Sequence, residues 1–104
     1  MRTFTILLAL TVACARPEPP LPAELYTGGD GTSCDQAVVI NTRDHRRGIH
    51  AERDWLQRQQ PGSRLRLQAL HKGGSKWYDV LSCGTADGQT RQVCFDITAF
   101  YGRF

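Results

Sequence analysis

Trp77-Tyr78-Asp79-Val80-Leu81-Ser82-Cys83, then Ala86-Asp87-Gly88-Gln89, then Val93-Cys94-Phe95-Asp96-Ile97 reads as two strands and the turn between them. Asp-Gly between apolar runs is a strong hairpin signal, because glycine supplies the turn's positive φ. Tyr78 and Val80 fall on one face of the first strand, and Val93, Phe95 and Ile97 on the core face of the second. Just upstream, Arg64-Leu65-Arg66-Leu67-Gln68-Ala69 alternates apolar with polar, the pattern of a half-buried strand. Lys72-Gly73-Gly74-Ser75 forms the turn between them. A helix precedes the meander, from Gly48 to about Gln60. Ile49 and Leu56 share a face, Ala51 and Trp55 a neighbouring one, and Pro61-Gly62 ends the run. Earlier still, Ser33 and Gln36 are spaced for a capping box, and Val38-Val39-Ile40 favours a short strand.

These elements predict an α+β domain: one main helix packed on an antiparallel three- to four-stranded meander. The sheet face is expected to take Leu65, Leu67, Tyr78, Val80, Phe95 and Ile97. Ile49, Trp55 and Leu56 come from the helix, and Phe100, Tyr101 and Phe104 form an aromatic tail. The domain is expected over residues 32–104.

The opening residues are of another kind. Arg2 is followed by an uncharged, mostly apolar run from Phe4 to Ala13, then Cys14. Ten apolar residues are too few to span a bilayer, which takes about 20. A basic start, a short apolar run and small residues make a signal peptide, here residues 1–13. Thr11-Val12-Ala13-Cys14 resembles a bacterial lipobox, which implies cleavage before Cys14 and a lipid on its sulfur; Thr11 stands where leucine is usual. The competing reading takes Ala13-Cys14-Ala15 as an A-x-A site, with cleavage before Arg16 and a soluble secreted product. Residues 14–31 hold Pro17, Pro19, Pro20 and Pro22, then Gly28, Gly29 and Gly31. They read as a tether that holds a globule off a membrane.

Without the signal segment the chain carries 12 basic and 10 acidic side chains, a net of +2, too little to argue for nucleic acid. Seven arginines lie between residues 43 and 66 against Asp44, Glu52 and Asp54. That excess reads as a solvated face, with contact to anionic lipid or cell-wall polymer as the alternative. With Cys14 lipidated, Cys34, Cys83 and Cys94 remain for an oxidising compartment, which predicts one bridge and one leftover thiol. A two-residue hairpin loop puts Leu81 opposite Cys94, and a four-residue loop puts Cys83 there; both leave the two cysteines on one face. Cys83–Cys94 is therefore the expected disulfide, with Cys34 bridging either partner as the alternative. Zinc is not expected, since the closest of these cysteines are eleven residues apart.

The chemistry-bearing residues form no catalytic motif. His50-Ala51-Glu52 matches half of a zinc-deaminase signature whose P-C-x-x-C half is missing. His45 and His50 do not share a helical face, and Glu52 and Asp54 point about 200° apart on a helix. Ser33 and Ser75 lack a nucleophile-elbow context. A Cys34–histidine pairing is the remaining nucleophilic option. Asp79 and Asp96 sit inside strands, where aspartate is disfavoured; a backbone amide or a basic partner is expected to hold each, with a polar site on the open sheet face as the alternative.

Ala37-Val38-Val39-Ile40, Gly48-Ile49, Ala51-Glu52, Trp55-Leu56, Pro61-Gly62, Tyr78-Asp79-Val80, Phe95-Asp96-Ile97 and Phe100-Tyr101-Gly102 together resemble a group of small bacterial exported domains of uncharacterised function. The resemblance covers about seventy residues, mostly hydrophobic framework. It implies the same fold and a bacterial envelope location, and it carries over no catalytic residue. The expected role is a non-catalytic lipoprotein domain, anchored through Cys14 in the cell envelope and facing the periplasm, that binds an envelope protein or cell-wall component without a cofactor. An inhibitor or immunity module is the alternative. An enzyme using Cys34 or the His50/Glu52 region is the third class.

Overall fold

The structure, a computed structural model, describes residues 21–104. The expected signal segment 1–13, the lipidation site Cys14 and the first part of the expected tether lie outside the described residues. Helix α1 spans His45–Gln59, starting three residues before the expected Gly48. Asp44 sets that start: its side chain accepts from the Arg46 N–H at 3.1 Å. Gln60 closes the helix by donating its N–H to the Leu56 carbonyl, and Pro61 follows. Gly48, Ala51, Glu52 and Leu56 form one buried stripe, facing the sheet.

Among the described residues five strands make that sheet: β1 (Tyr26–Gly28), β2 (Val38–Ile40), β3 (Arg64–Gly73), β4 (Lys76–Gly84) and β5 (Thr90–Asp96). Their spatial order is β1-β2-β5-β4-β3. Neighbours are antiparallel except β2 and β5, which run parallel with Val38 beside Phe95. The expected α+β architecture of one helix on a meander is present, with the expected short strand as β2 and a fifth strand, β1, added beyond it. The core is Leu25, Val38, Ile40, Ala51, Leu56, Leu81, Cys83, Val93, Phe95, Ile97 and Phe100.

Several expectations require correction. The fold includes residues between 21 and 31, which the sequence assigns to the tether. Leu25 is buried, β1 pairs with β2, and the Cys94 N–H donates to the Gly31 carbonyl at 2.8 Å. Residues 29–36 thus cover the part of β5 that β2 is too short to reach. The glycines there serve close approach, not looseness: a Cβ on Gly28, which has φ +86°, would sit 2.5 Å from the Ala37 carbonyl oxygen.

The second correction concerns the hairpin. Thr85 donates its N–H to the Gln89 carbonyl at 2.7 Å, and Gly88 donates to Thr85 at 3.0 Å with φ +88°. The loop therefore has three residues, a turn completed by a glycine in the left-handed region. An odd loop reverses the parity of both registers expected from sequence. Val80 pairs with Cys94, Leu81 with Val93, and Cys83 with Arg91. Asp79, Leu81 and Cys83 consequently face the helix alongside Phe95, while Tyr78 and Val80 take the opposite face. Leu67, also expected in the core, is 65% exposed, because a bulge between Leu65 and Leu67 turns it away.

The expected Cys83–Cys94 disulfide falls with that register, since the two thiols lie on opposite faces of the sheet. Cys94 is bridged to Cys34, with Cα atoms 5.2 Å apart. Cys83 is a free, fully buried thiol, and burial pushes its ionisation up, away from reactivity.

After β5 the chain turns on itself, Phe100 and Tyr101 both donating to the Ile97 carbonyl. This tucks the Phe100 ring beneath α1, against Gly48. A Cβ at Gly48 would lie 2.4 Å from that ring. Gly48→Ala is therefore expected to destabilise by about 1–3 kcal/mol, despite alanine's better helix propensity. A thermal melt checks this; an unchanged or raised midpoint would show that the ring moves aside freely.

Candidate functional site

Glu52 sits one turn after Gly48 and one before Leu56, so it shares their inward stripe. It is 1% exposed. Asp79, turned inward by the hairpin parity, is 3% exposed. The two carboxyl groups act on each other in the helix–sheet interface, where both are buried. Burial is the main force raising Glu52, and the neighbouring Asp79 carboxyl adds to it; together they push Glu52 up to about 10, with Arg53 opposing weakly. Gln68 of β3 donates its amide to Asp79 Oδ2 at 2.7 Å. Glu52 Oε2 has no hydrogen-bond partner among the described residues. Neither carboxylate has a basic side chain at salt-bridge distance among the described residues.

Asp79 and Gln68 floor a cleft of about 300 Å³. Its walls are His45 and Ile49 from α1, Leu70 from β3, and Ile97, Phe100 and Tyr101 from the segment after β5. His45 stands between Phe100 and Phe104, its ring 4.4 Å from that of Phe104, and its Nδ1 is buried without a partner. Leu70, Tyr101 and Phe104 are exposed at the rim. An apolar cleft with a few convergent polar groups on its floor is the usual form of a ligand site.

The other residues singled out in the sequence are dispersed. Cys34 is bridged and carries no thiol. His50 is exposed on the helix and lines no cavity described above, so it does not converge with Glu52. Asp54 points away from Glu52, as the helical spacing requires. It meets the Tyr26 hydroxyl at 2.8 Å and Arg58 at 2.7 Å, fastening β1 to α1. Burial and Asp54 both push the Tyr26 hydroxyl up, well above the ordinary tyrosine value. Asp96 follows the structural expectation: it accepts from the Thr98 N–H at 3.0 Å and hydroxyl at 2.6 Å. Asp79 does not, since its partners are an amide side chain and another acid. Ser33 precedes the 3₁₀ turn Cys34–Gln36 but makes no side-chain cap bond. All seven arginines between 43 and 66 are exposed.

Sequence reasoning missed the Glu52–Asp79 pair, though two signals were present. Glu52 lies three residues after Ile49 and four before Leu56, a core position. Asp79 lies two residues before Leu81, in phase with it. No described helix is long and apolar enough to cross a membrane, and no group of three potential metal ligands occurs among the described residues. No protein-family model, curated protein or solved structure matches the chain.

Proposed function

We propose that this chain is a non-catalytic, lipid-anchored domain of the bacterial cell envelope that binds a partner there through the cleft above Asp79. The observation that carries the binding role is the cleft itself. Aliphatic and aromatic walls meet a floor where the buried Asp79 carboxyl and the exposed Gln68 amide join, with no cationic partner on Asp79 among the described residues. That combination suits recognition, where hydrogen bonds fix orientation and apolar walls supply affinity. The envelope location is supported by the signal-like opening, the resemblance to small bacterial exported domains and a Cys34–Cys94 bridge, which belongs in an oxidising compartment. The partner is an envelope protein or a cell-wall component.

Cys14→Ser is expected to move the protein from the membrane fraction to the soluble envelope fraction. Unchanged membrane retention would contradict lipidation. The cleft is tested by crosslinking the anchored protein in cells and comparing it with Leu70→Asp, which puts a charge at the rim. The account expects the crosslinked envelope species to disappear with Leu70→Asp; an identical pattern would remove the cleft from the interface. A single tight co-purifying partner would instead mark an inhibitor or immunity module.

A further inference from the structure

The two edges of the sheet formed by the described residues are unlike. β1 is three residues long, too short to recruit another strand, whereas β3 runs ten residues, Arg64–Gly73. Every β3 residue except Leu65 and Gly73 is exposed. An edge strand leaves alternate N–H and C=O groups pointing outward, and proteins usually guard such an edge with proline, charged side chains, inward charge or a bulge; in β3 the charges, Arg64, Arg66 and Lys72, stand at the two ends. The single bulge in β3 lies at its start, between Leu65 and Leu67. Beyond it, Leu67-Gln68-Ala69-Leu70 is uncharged and free of proline and glycine.

Exposed leucines lie on both faces of this edge. Leu67 is 65% exposed on the face away from α1, and Leu70 is 49% exposed on the helix side, at the rim of the cleft. One added strand running beside β3 would cover both. From this geometry, and resting on the binding role proposed above, we infer that β3 is the docking edge. The occupant is an extended segment of a partner protein, apolar at its centre and acidic at its ends, that adds a sixth strand to the sheet.

Charge selects that occupant. From residue 61 to 78 the chain carries Arg64, Arg66, Lys72 and Lys76 and no acidic residue. Arg64 and Arg66 at one end of β3 and Lys72 at the other bracket its apolar centre, so acidic flanks on the incoming strand meet them at both ends; Lys76, on β4, lies 3.9 Å from Asp96. A second copy fits poorly. Antiparallel pairing of two β3 strands about Gln68 sets Arg64 of each copy against Lys72 of the other, and centring on Ala69 opposes Arg66 and Lys72. Like charges directly across a sheet destabilise it. Strand addition gives affinity through the main chain, while the cleft beside Leu70 can receive one side chain of the added strand.

The test uses the mature, bridged protein and two peptides, Glu-Glu-Thr-Val-Thr-Val-Thr-Glu-Glu and its counterpart with lysine in place of glutamate. Amide hydrogen exchange and titration are read for both. The acidic peptide is expected to bind saturably and to slow exchange at amides of residues 67–71, with little effect from the lysine peptide. Arg64→Glu combined with Lys72→Glu, both exposed, is expected to weaken the acidic peptide about tenfold and to reverse the preference. Absence of protection by the acidic peptide would overturn the inference. So would equal binding of both peptides, or β3 amides already protected in the free protein, which would mean that another copy or another part of the chain fills the edge. Loss of the envelope crosslinks with Leu70→Asp would persist in those cases if only the edge assignment, and not the binding role, is at fault.

Discussion

Cys34→Ser is expected to cost about 4 kcal/mol of stability, the chain-entropy value for a loop of this length. Cys34 and Cys94 are separated by 60 residues, so the bridge encloses β2, α1 and the whole β3–β4 hairpin. Opening it frees the unfolded chain across most of the domain. A domain of this size holds only a modest stability margin, so a loss of that order leaves a large unfolded fraction at 37 °C. The bridge also fixes residues 29–36 against β5. Cys94 would remain as a buried thiol, and the Gly31–Cys94 hydrogen bond would lose its neighbouring clamp. Urea unfolding of the oxidised protein, the reduced protein and Cys34→Ser checks this. Reduced and Cys34→Ser proteins should coincide, well below the oxidised form; superposition of all three curves would show that the bridge contributes nothing. Cys83→Ser serves as the contrast, since it removes no crosslink and puts a hydroxyl in the core.

Glu52→Gln is expected to flatten the pH dependence of stability and to stabilise the fold above neutrality. The sign follows from the raised carboxyl. Unfolded, Glu52 titrates near 4.5; folded, it holds its proton up to about 10. Its favourable state is fully present below about pH 4.5 and is lost progressively as pH rises towards 10, because the unfolded chain releases a proton that the folded one must keep. The slope is at most about 1.4 kcal/mol per pH unit, so up to about 4 kcal/mol separates pH 5 from pH 8. Glutamine keeps the shape and a donor for Asp79 without the proton. Wild type and variant should match near pH 4 and diverge as pH rises, the variant being the more stable at pH 8 by about 2 kcal/mol or more. Parallel profiles would mean that Glu52 is ionised in the native state.

Parts of this molecule are legible from its residues because a single local rule governs them. The period of Ile49, Leu56 and their neighbours gives α1, and Pro61 gives its end. The alternation in β3 and the Asp87-Gly88 turn give the meander. What escaped depends on counting through a turn. Asp-Gly marks the β4–β5 loop, but only the Thr85–Gln89 hydrogen bonding fixes its length at three residues, and that parity decides which side of β4 meets the helix. One residue of loop length therefore moved Tyr78 and Val80 out of the core, moved Asp79 into it and separated Cys83 from Cys94. β1 escaped for another reason: it lies between Pro22 and Gly29, in a stretch with the composition of a spacer, while the contacts that order it, Leu25 in the core and Tyr26 on Asp54, are long-range. The carboxyl pair was hidden by both effects, since Glu52 is placed by a period and Asp79 by a register.

The central claim is that an anchored, oxidised domain stands in the envelope, and the intact mass of the protein isolated from the cell membrane tests it most directly. The account predicts a chain beginning at a lipid-modified Cys14, lighter by the pair of hydrogens lost to one bridge, with Cys83 alone alkylated after unfolding. A full-length chain beginning at Met1, recovered from the cytosol with Cys34 and Cys94 both alkylated, would contradict it.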